Sequence, residues 1–337
     1  MKGKQPKIFY YIENILKYLY PRFLCRIRTK QILTNARQRA DFDYILDRVN
    51  YYCKLENNFS LDSFLENTGG DISVSAKNEN NQNNKIAIKD FKYSRIKKPS
   101  EHFFDTNEHI RFFPENNKFS FIFGDVTHIP TTPSIVKSRP ITNDNSNRNS
   151  VLLNLGKRRH FVFIEDKIPF RKKENKIIFY AAMKGMPRRV EFMKKYFGHP
   201  EILCGNIAAH SSMPQEWLAK KISIAEHLRY KFILSLEGND VATNLKWIMS
   251  SNSLAVMPRP KFETWFMEGR LVPDFHYVAI KDDFSDLIER MNYFIENPAK
   301  AEQIIKNAND YISQFQNKKR EKIISLMVLQ KYFDSRA

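Results

Sequence analysis

Residues 231–280, KFILSLEGNDVATNLKWIMSSNSLAVMPRPKFETWFMEGRLVPDFHYVAI, alternate short apolar runs with polar turns, and their order decides the fold. Residues 230–236 (YKFILSL) and 253–257 (SLAVM) are mostly apolar runs of strand length, the pattern of strands buried on both faces. Between them, 241–250 carries apolar residues at helical spacing, 265–268 forms a short helical turn, and 276–280 is a further strand. Strands separated by helix-length segments predict a parallel, Rossmann-like sheet.

Working outward, the same alternation continues. Residues 176–182 (KIIFYAA) form a strand, 188–197 a basic helix and 217–226 another helix, with helices at 283–295 and 298–315 closing the run. Upstream, 119–124 (FSFIFG), 151–155 and 160–164 are short strands. With 337 residues and roughly 150 residues per domain, two domains are expected. The basic segment Arg171-Lys172-Lys173 marks their boundary. The expected division is 1–170, 171–315 and a C-terminal helix, 316–337, free to pack back on the first domain. Residues 68–85, with Gly69-Gly70 and five asparagines between 78 and 84, are loop chemistry inside that first domain.

Lys and Arg number 55 against 37 Asp and Glu, a net charge of +18 that attracts polyanions. Cys25, Cys53 and Cys204 fit neither a disulfide framework nor a CxxC metal knuckle, and a reducing cytoplasm is expected. No run of ~18 apolar residues is present to span a membrane. The apolar stretch 8–24, interrupted by Glu13, Lys17 and Pro21, lacks a cleavage site and does not have the form of a signal peptide. Ile8, Ile12, Ile15, Leu16 and Leu19 fall at helical spacing. That stripe predicts packing on the N-terminal domain. With Lys7, Lys17 and Arg22 beside it, the same stripe also suits an anionic membrane surface.

Ligands of open α/β sheets bind beyond the carboxyl ends of the strands, where loops enter helices. Three such loops stand out. Glu237-Gly238-Asn239-Asp240 offers close backbone approach and a helix N-terminus to a phosphate; on sequence alone it reads equally as a plain turn with Asp240 as N-cap. Lys184, Arg188 and Arg189 follow the strand at 176–182 and can neutralise a diphosphate. The third loop, 261–277, gathers aromatics with Glu263, His276 and Tyr277. In the first domain, Asp125 follows the 119–124 strand, where a carboxylate can act as a general base; it reads equally as a turn former. His128 competes for that role, and Lys137 and Arg139 add charge suited to an anionic partner. HExxH, GxxxxGK[ST], GxSxG, CxxC and full GxGxxG motifs are absent. Asp41-Phe42-Asp43, the one DxD-like triplet, lies in a predicted helix, so no metal is expected.

KFILSLEGNDVATNLKWIMSSNSLAVMP, then FETWFMEGRLVPDFHYVAI and DDFSDL, resembles glycosyltransferase family 90, the lipopolysaccharide-modifying and protein O-glucosyltransferase family. The resemblance runs from about Phe119 to Phe315. It implies a GT-B architecture, two Rossmann-like domains facing across a cleft, with a UDP-sugar held mainly by the second. It implies Asp125 as catalytic base. Arg188 or Arg189 then falls near the donor phosphates, Glu237, Gly238 and Asn239 form the donor-side turn, and Ser253, Glu263, His276 and Tyr277 complete the motif. Asn244 departs from the arginine of eukaryotic members, leaving phosphate neutralisation to Lys184, Arg188 or Lys246. The bacterial branch implies hexose transfer, glucose or galactose, to the heptose of the lipopolysaccharide or lipooligosaccharide inner core, by a cytoplasmic protein peripheral on the membrane's inner face. Against that stand two rivals: a nucleic-acid-binding protein, permitted by charge and aromatics, and a non-catalytic envelope-assembly scaffold.

Overall fold

The computed structural model describes residues 6–56, 85–95 and 101–335. Most of the polar stretch expected as a loop at 68–85 lies outside them. The described residues divide into two compact units: Arg159–Gln316, and those from Pro6 to Arg158 together with those from Asn317 onward.

The N-terminal unit is built on helices, Lys7–Leu19, Arg22–Arg37, Phe42–Tyr52 and Glu101–Ile110, with the C-terminal helix Lys318–Asp334 among them. Every residue from Ile324 to Tyr332 is buried, so this last helix is a core element. Its position is fixed by ions as well as apolar contacts. Arg48, fully buried, holds both carboxylate oxygens of Glu321 at 2.5 and 2.9 Å and the Tyr52 hydroxyl at 2.7 Å. A buried pair this well satisfied specifies one register.

Beside the helices lies a three-stranded parallel sheet, β1 (Phe121–Ile122), β2 (Ser134–Val136) and β3 (Ser150–Leu152), in that order. The strand expected at 119–124 is interrupted at Ser120, whose N–H donates to the Tyr332 hydroxyl at 2.9 Å instead of to a neighbouring strand. Residues 160–164, expected as a strand, are not one; Lys157–His160 is a helical turn. Segment 161–170 belongs with the C-terminal unit, tied there by Ile164 N–H to Ser250 Oγ (3.0 Å) and Asn252 N–H to Asp166 (2.9 Å).

The main sheet of the C-terminal unit is formed by β4 (Glu174–Ala181), β5 (Ile202–Asn206), β6 (Tyr230–Leu234), β7 (Leu254–Met257) and β8 (Val278–Ala279). They lie in the order β5-β4-β6-β7-β8 and every pairing is parallel. β6 is buried at all five positions and β7 at all four, which is why both read as largely apolar runs. β5 is the strand of this sheet that sequence patterning missed. It contains Gly205 and Asn206, and its neighbours require the glycine: a Cβ there would lie 2.6 Å from the Ala219 Cβ. The helices differ from expectation as well. Residues 217–226 yield only the turn Gln215–Trp217 and the short helix Ile224–His227. The helix expected at 241–250 is Leu245–Met249, so Asp240 is not its N-cap.

A buried polar network in the N-terminal unit sets a pH response. Lys157 donates to Glu108 (2.7 Å) and faces His109 Nε2 (3.2 Å), while Asp105 accepts from Tyr10 and Gly156. Burial, reinforced by the Lys157 ammonium, pulls the His109 pKa down to about 3. The folded chain therefore keeps His109 neutral at pH values where the unfolded chain, with a pKa near 6.5, binds a proton. This contribution is present above pH 6.5 and is lost as pH falls. We expect the stability difference between the parent and His109→Gln to shrink below pH 6.5, by at most about 1.4 kcal/mol per pH unit. Urea unfolding of both proteins at pH 7.5, 6 and 5 measures it; a difference independent of pH contradicts the assignment.

Candidate active site

In the C-terminal sheet the chain runs outward from β4 to β5, then returns to the other side of β4 as β6. The carboxyl ends of β4 and β6 thus diverge at a topological switch point, where ligands of such sheets bind. Arg189, in the first turn of the helix Pro187–Tyr196, bridges the divergence. Its guanidinium donates to the Ala182 carbonyl (3.1 Å) after β4 and the Leu236 carbonyl (3.0 Å) after β6. No carboxylate pairs with it among the described residues, and its Nε is buried without a hydrogen-bond partner. Burial lowers its pKa from the usual arginine value, but the group remains cationic. Gly238 packs against it: a Cβ there would sit 3.1 Å from Nη2 and 3.3 Å from Met186 Sδ.

Next to this bridge a pocket opens at the carboxyl ends of β6 and β7. Arg188, Ser235, Glu237, Val241, Arg259 and Glu268 are among its lining residues. Glu237 is a brace: its carboxylate accepts from Lys261 N–H (2.9 Å) and Phe262 N–H (3.2 Å), holding the loop that follows β7. Burial raises its pKa, opposed by those two N–H groups and by Arg188. Arg188 itself pairs with Asp282 and lies 3.7 Å from Glu237. At the pocket floor, Lys246 and Glu268 form an ion pair, with both residues almost wholly buried. Thr264 donates its N–H (2.6 Å) and hydroxyl (3.0 Å) to the same carboxylate. The left-handed backbone of Met267 (φ 56°) turns the chain so that Glu268 can reach them.

The residues expected from sequence fall into distinct places. Arg188, Arg189, Glu237 and Gly238 converge at the β4–β6 loops, with Asn239 exposed beyond Gly238. Lys184 is exposed on the turn Met183–Met186, which closes through Met186 N–H to the Met183 carbonyl. Ser253 is not at this end of the sheet. It precedes β7, and its hydroxyl donates to the Tyr230 carbonyl at the amino end of β6. Glu263 is buried in the strand Phe262–Thr264. His276 Nδ1 accepts from Val272 N–H (2.9 Å), closing the loop ahead of β8. Tyr277 is fully buried with its hydroxyl unpartnered, and burial pushes its pKa to about 12 against the opposing charge of Arg259. Lys246, one of the cations considered for phosphate, is committed to Glu268.

Arg259 was missed. It follows β7 directly, the same strand-end position that singled out Lys184 and Glu237, but Pro258 and Pro260 on either side mark it as a plain loop residue. It is exposed and makes no hydrogen bond or ion pair among the described residues.

In the N-terminal unit, Asp125 lies just beyond the carboxyl end of β1, after Gly124 (φ 107°). Its half-exposed carboxylate pairs with the buried ammonium of Lys137, which follows β2. His128 is exposed nearby in sequence. Arg139 is a correction to the reading as an acceptor contact. It is fully buried and donates to the main-chain carbonyls of Tyr51 (2.8 Å), Ser150 (3.1 Å) and Tyr52 (3.4 Å), so its charge serves to tie segments together. The Asp41-Phe42-Asp43 triplet opens the helix Phe42–Tyr52, with Asp41 paired to Arg39 and Arg320.

Strand order and cation-lined strand ends are those of an open α/β sheet that binds its ligand at a switch point. The family described as "Glycosyl transferase family 90" matches residues 157–334, and the chain belongs to it. It is 46% identical over 236 residues to the O-glucosyltransferase LpsA of Dichelobacter nodosus, covering 70% of this chain and 73% of that protein. It is 24% identical over 159 residues to the protein O-glucosyltransferase 3 of Homo sapiens, covering 46% of this chain and 31% of that one. A third relative, the uncharacterized protein 179R of Invertebrate iridescent virus 6, is 29% identical over 109 residues, 30% of this chain and 9% of its own length.

The pocket floor and its rim respond differently to substitution. Lys246→Met strands the Glu268 carboxylate in the core, and stability falls by about 3–5 kcal/mol. Arg259→Ala removes an exposed group that makes no hydrogen bond or ion pair among the described residues and changes stability by about 0.5 kcal/mol or less. Urea unfolding of the two variants checks this; equal effects would contradict the buried pair.

Proposed function

We propose that this protein is an inverting hexosyltransferase of GT-B type that moves glucose from UDP-glucose to a heptose of the lipopolysaccharide or lipooligosaccharide inner core. The observation that carries the proposal is the switch point of the C-terminal sheet, where Arg189 bridges two strand ends with no carboxylate paired to it among the described residues and Arg188 and Arg259 line the adjoining pocket. A diphosphate supplies the anion such a place lacks. Glucose is favoured over galactose by the 46% identity to a protein named for O-glucosyl transfer.

In the proposed reaction Asp125 takes the proton of the acceptor hydroxyl, whose oxygen attacks the anomeric carbon. The bond from that carbon to the diphosphate oxygen breaks, and UDP leaves with the electron pair. Single displacement inverts the anomeric centre. Cations held before the reaction begins stabilise the leaving charge, the preorganised electrostatics that supplies much of enzymatic rate enhancement. Arg189, Arg188 and Arg259 fill that role, with Lys184 at the rim, and no divalent metal is required. His128 is the candidate acceptor contact beside the base. The acceptor is membrane-borne and phosphorylated, so the +18 charge suits an enzyme working peripherally at the inner face of the cytoplasmic membrane.

Asp125→Asn tests the chemistry. It takes away the carboxylate that pairs with the buried Lys137 ammonium, so its melting temperature is expected to fall; at a temperature where it is folded it is expected to keep the parent's UDP-glucose affinity, while transfer to a deacylated core acceptor falls by about 100-fold or more. Parent turnover is expected to persist in a chelator. A folded variant that retains the parent's turnover removes Asp125 as base; a parent that binds no nucleotide sugar removes the proposal.

A further inference from the structure

The helix Lys7–Leu19 is attached to its unit the wrong way round. At about 100° per residue, Ile8, Ile12, Ile15, Leu16 and Leu19 share one face, and the spacing predicts that they pack inward. They are instead 46–70% exposed. The buried side carries Tyr10 and Asn14. The Tyr10 hydroxyl donates to Asp105 (2.8 Å) and to the Glu101 carbonyl (3.1 Å), and Lys17 lies 3.7 Å from Glu108. The rings of Tyr11 and Tyr18 rest on Phe104 and Phe103. The helix is thus held by its polar and aromatic side, and its most apolar face is left to the outside. The next helix, Arg22–Arg37, continues the pattern: Phe23 and Ile27 are 55% and 71% exposed, while Cys25, Thr29, Leu33 and Ala36 are buried.

From Lys7 to Lys30 there are six basic residues, Lys7, Lys17, Arg22, Arg26, Arg28 and Lys30, against the single acid Glu13. An outward apolar face edged by cations is the composition of a segment lying in the plane of a membrane surface. A second copy of this chain suits it less well, since a two-fold pairing brings like charges together. Among the described residues no helix is long and apolar enough to cross a bilayer, so the attachment is by embedding.

We propose that residues 7–30 dock the protein on an anionic lipid bilayer, with Ile8, Ile12, Leu16, Leu19, Phe23 and Ile27 entering the headgroup boundary and the surrounding arginines and lysines meeting lipid phosphates. This rests on the peripheral location proposed above and names the surface responsible. Its test does not pass through sugar transfer.

The test is co-sedimentation of the full chain with vesicles of phosphatidylcholine alone or of phosphatidylcholine with phosphatidylglycerol. The parent is expected to bind the anionic vesicles, less so as salt rises. The double substitution Ile12→Asp/Leu16→Asp should lower that binding by about tenfold or more, with melting temperature and UDP-glucose affinity unchanged. A charge variant, Arg28→Glu/Lys30→Glu, should weaken binding to anionic vesicles and leave the fold intact. The proposal is overturned if the parent binds no vesicles, or if the double variant binds as the parent does. It is also overturned if light scattering shows a parent dimer that the double variant dissociates. Loss of UDP-glucose binding by the parent would leave this result standing and remove only the catalytic reading.

Discussion

Neighbouring parallel strands cannot be joined by a tight turn; each pair needs a crossover of a dozen or more residues, usually packed across a face of the sheet. The C-terminal unit follows from that constraint. Its five strands are parallel throughout, so the crossovers shield the sheet, the central strands are apolar on both sides, and the loops into the crossovers gather at the carboxyl ends. Because the chain steps out to β5 before returning to β6, two of those loops diverge. The opening between those loops holds an arginine. Arg189 answers two carbonyls at once, and Gly238 is small enough to let it.

The charges around this opening divide by what they are already doing. Lys246 and Glu268 satisfy each other in the core and shape the pocket floor. Glu237 braces the loop after β7 through two N–H groups. Arg189 has only neutral carbonyl partners, and Arg259 has none among the described residues. A cation bonded to carbonyls retains its charge for an incoming anion, whereas one in a buried ion pair does not. Burial and partnership therefore narrow a generally basic sequence to a few groups suited to a diphosphate.

Much of this was legible in the sequence, and the exceptions have physical causes. Strands β6 and β7 were recognised because burial on both faces leaves largely apolar runs, and β4 and β8 by their shorter apolar segments. β5 escaped because Cys204, Gly205 and Asn206 carry no such signal; its place is set by the close approach of Ala219 and Tyr180 to Gly205. The helix after β6 was expected four residues too early, since apolar spacing through Val241 and Ala242 suits a packed loop as well as a helix. Arg188, Arg189, Glu237 and Gly238 were found by their position at strand ends. Arg259 obeys the same rule but was hidden by its flanking prolines. Arg139 and Ser253 show the reverse: their residue types suit a site, but hydrogen bonds to main-chain carbonyls hold them in structural roles. The N-terminal stripe was identified correctly as a helical face, yet spacing alone cannot say which way a face points. Tyr10 and its bond to Asp105 decide that.

The central claim is that the carboxyl-end loops of β4, β6 and β7 hold the nucleotide sugar. Amide hydrogen exchange of the full chain with and without UDP-glucose tests it most directly. Protection concentrated in residues 182–190, 235–244 and 257–263, with little change along β5, is the predicted result. Saturating UDP-glucose that protects none of these three segments, or protects only segments of the N-terminal unit, would contradict it.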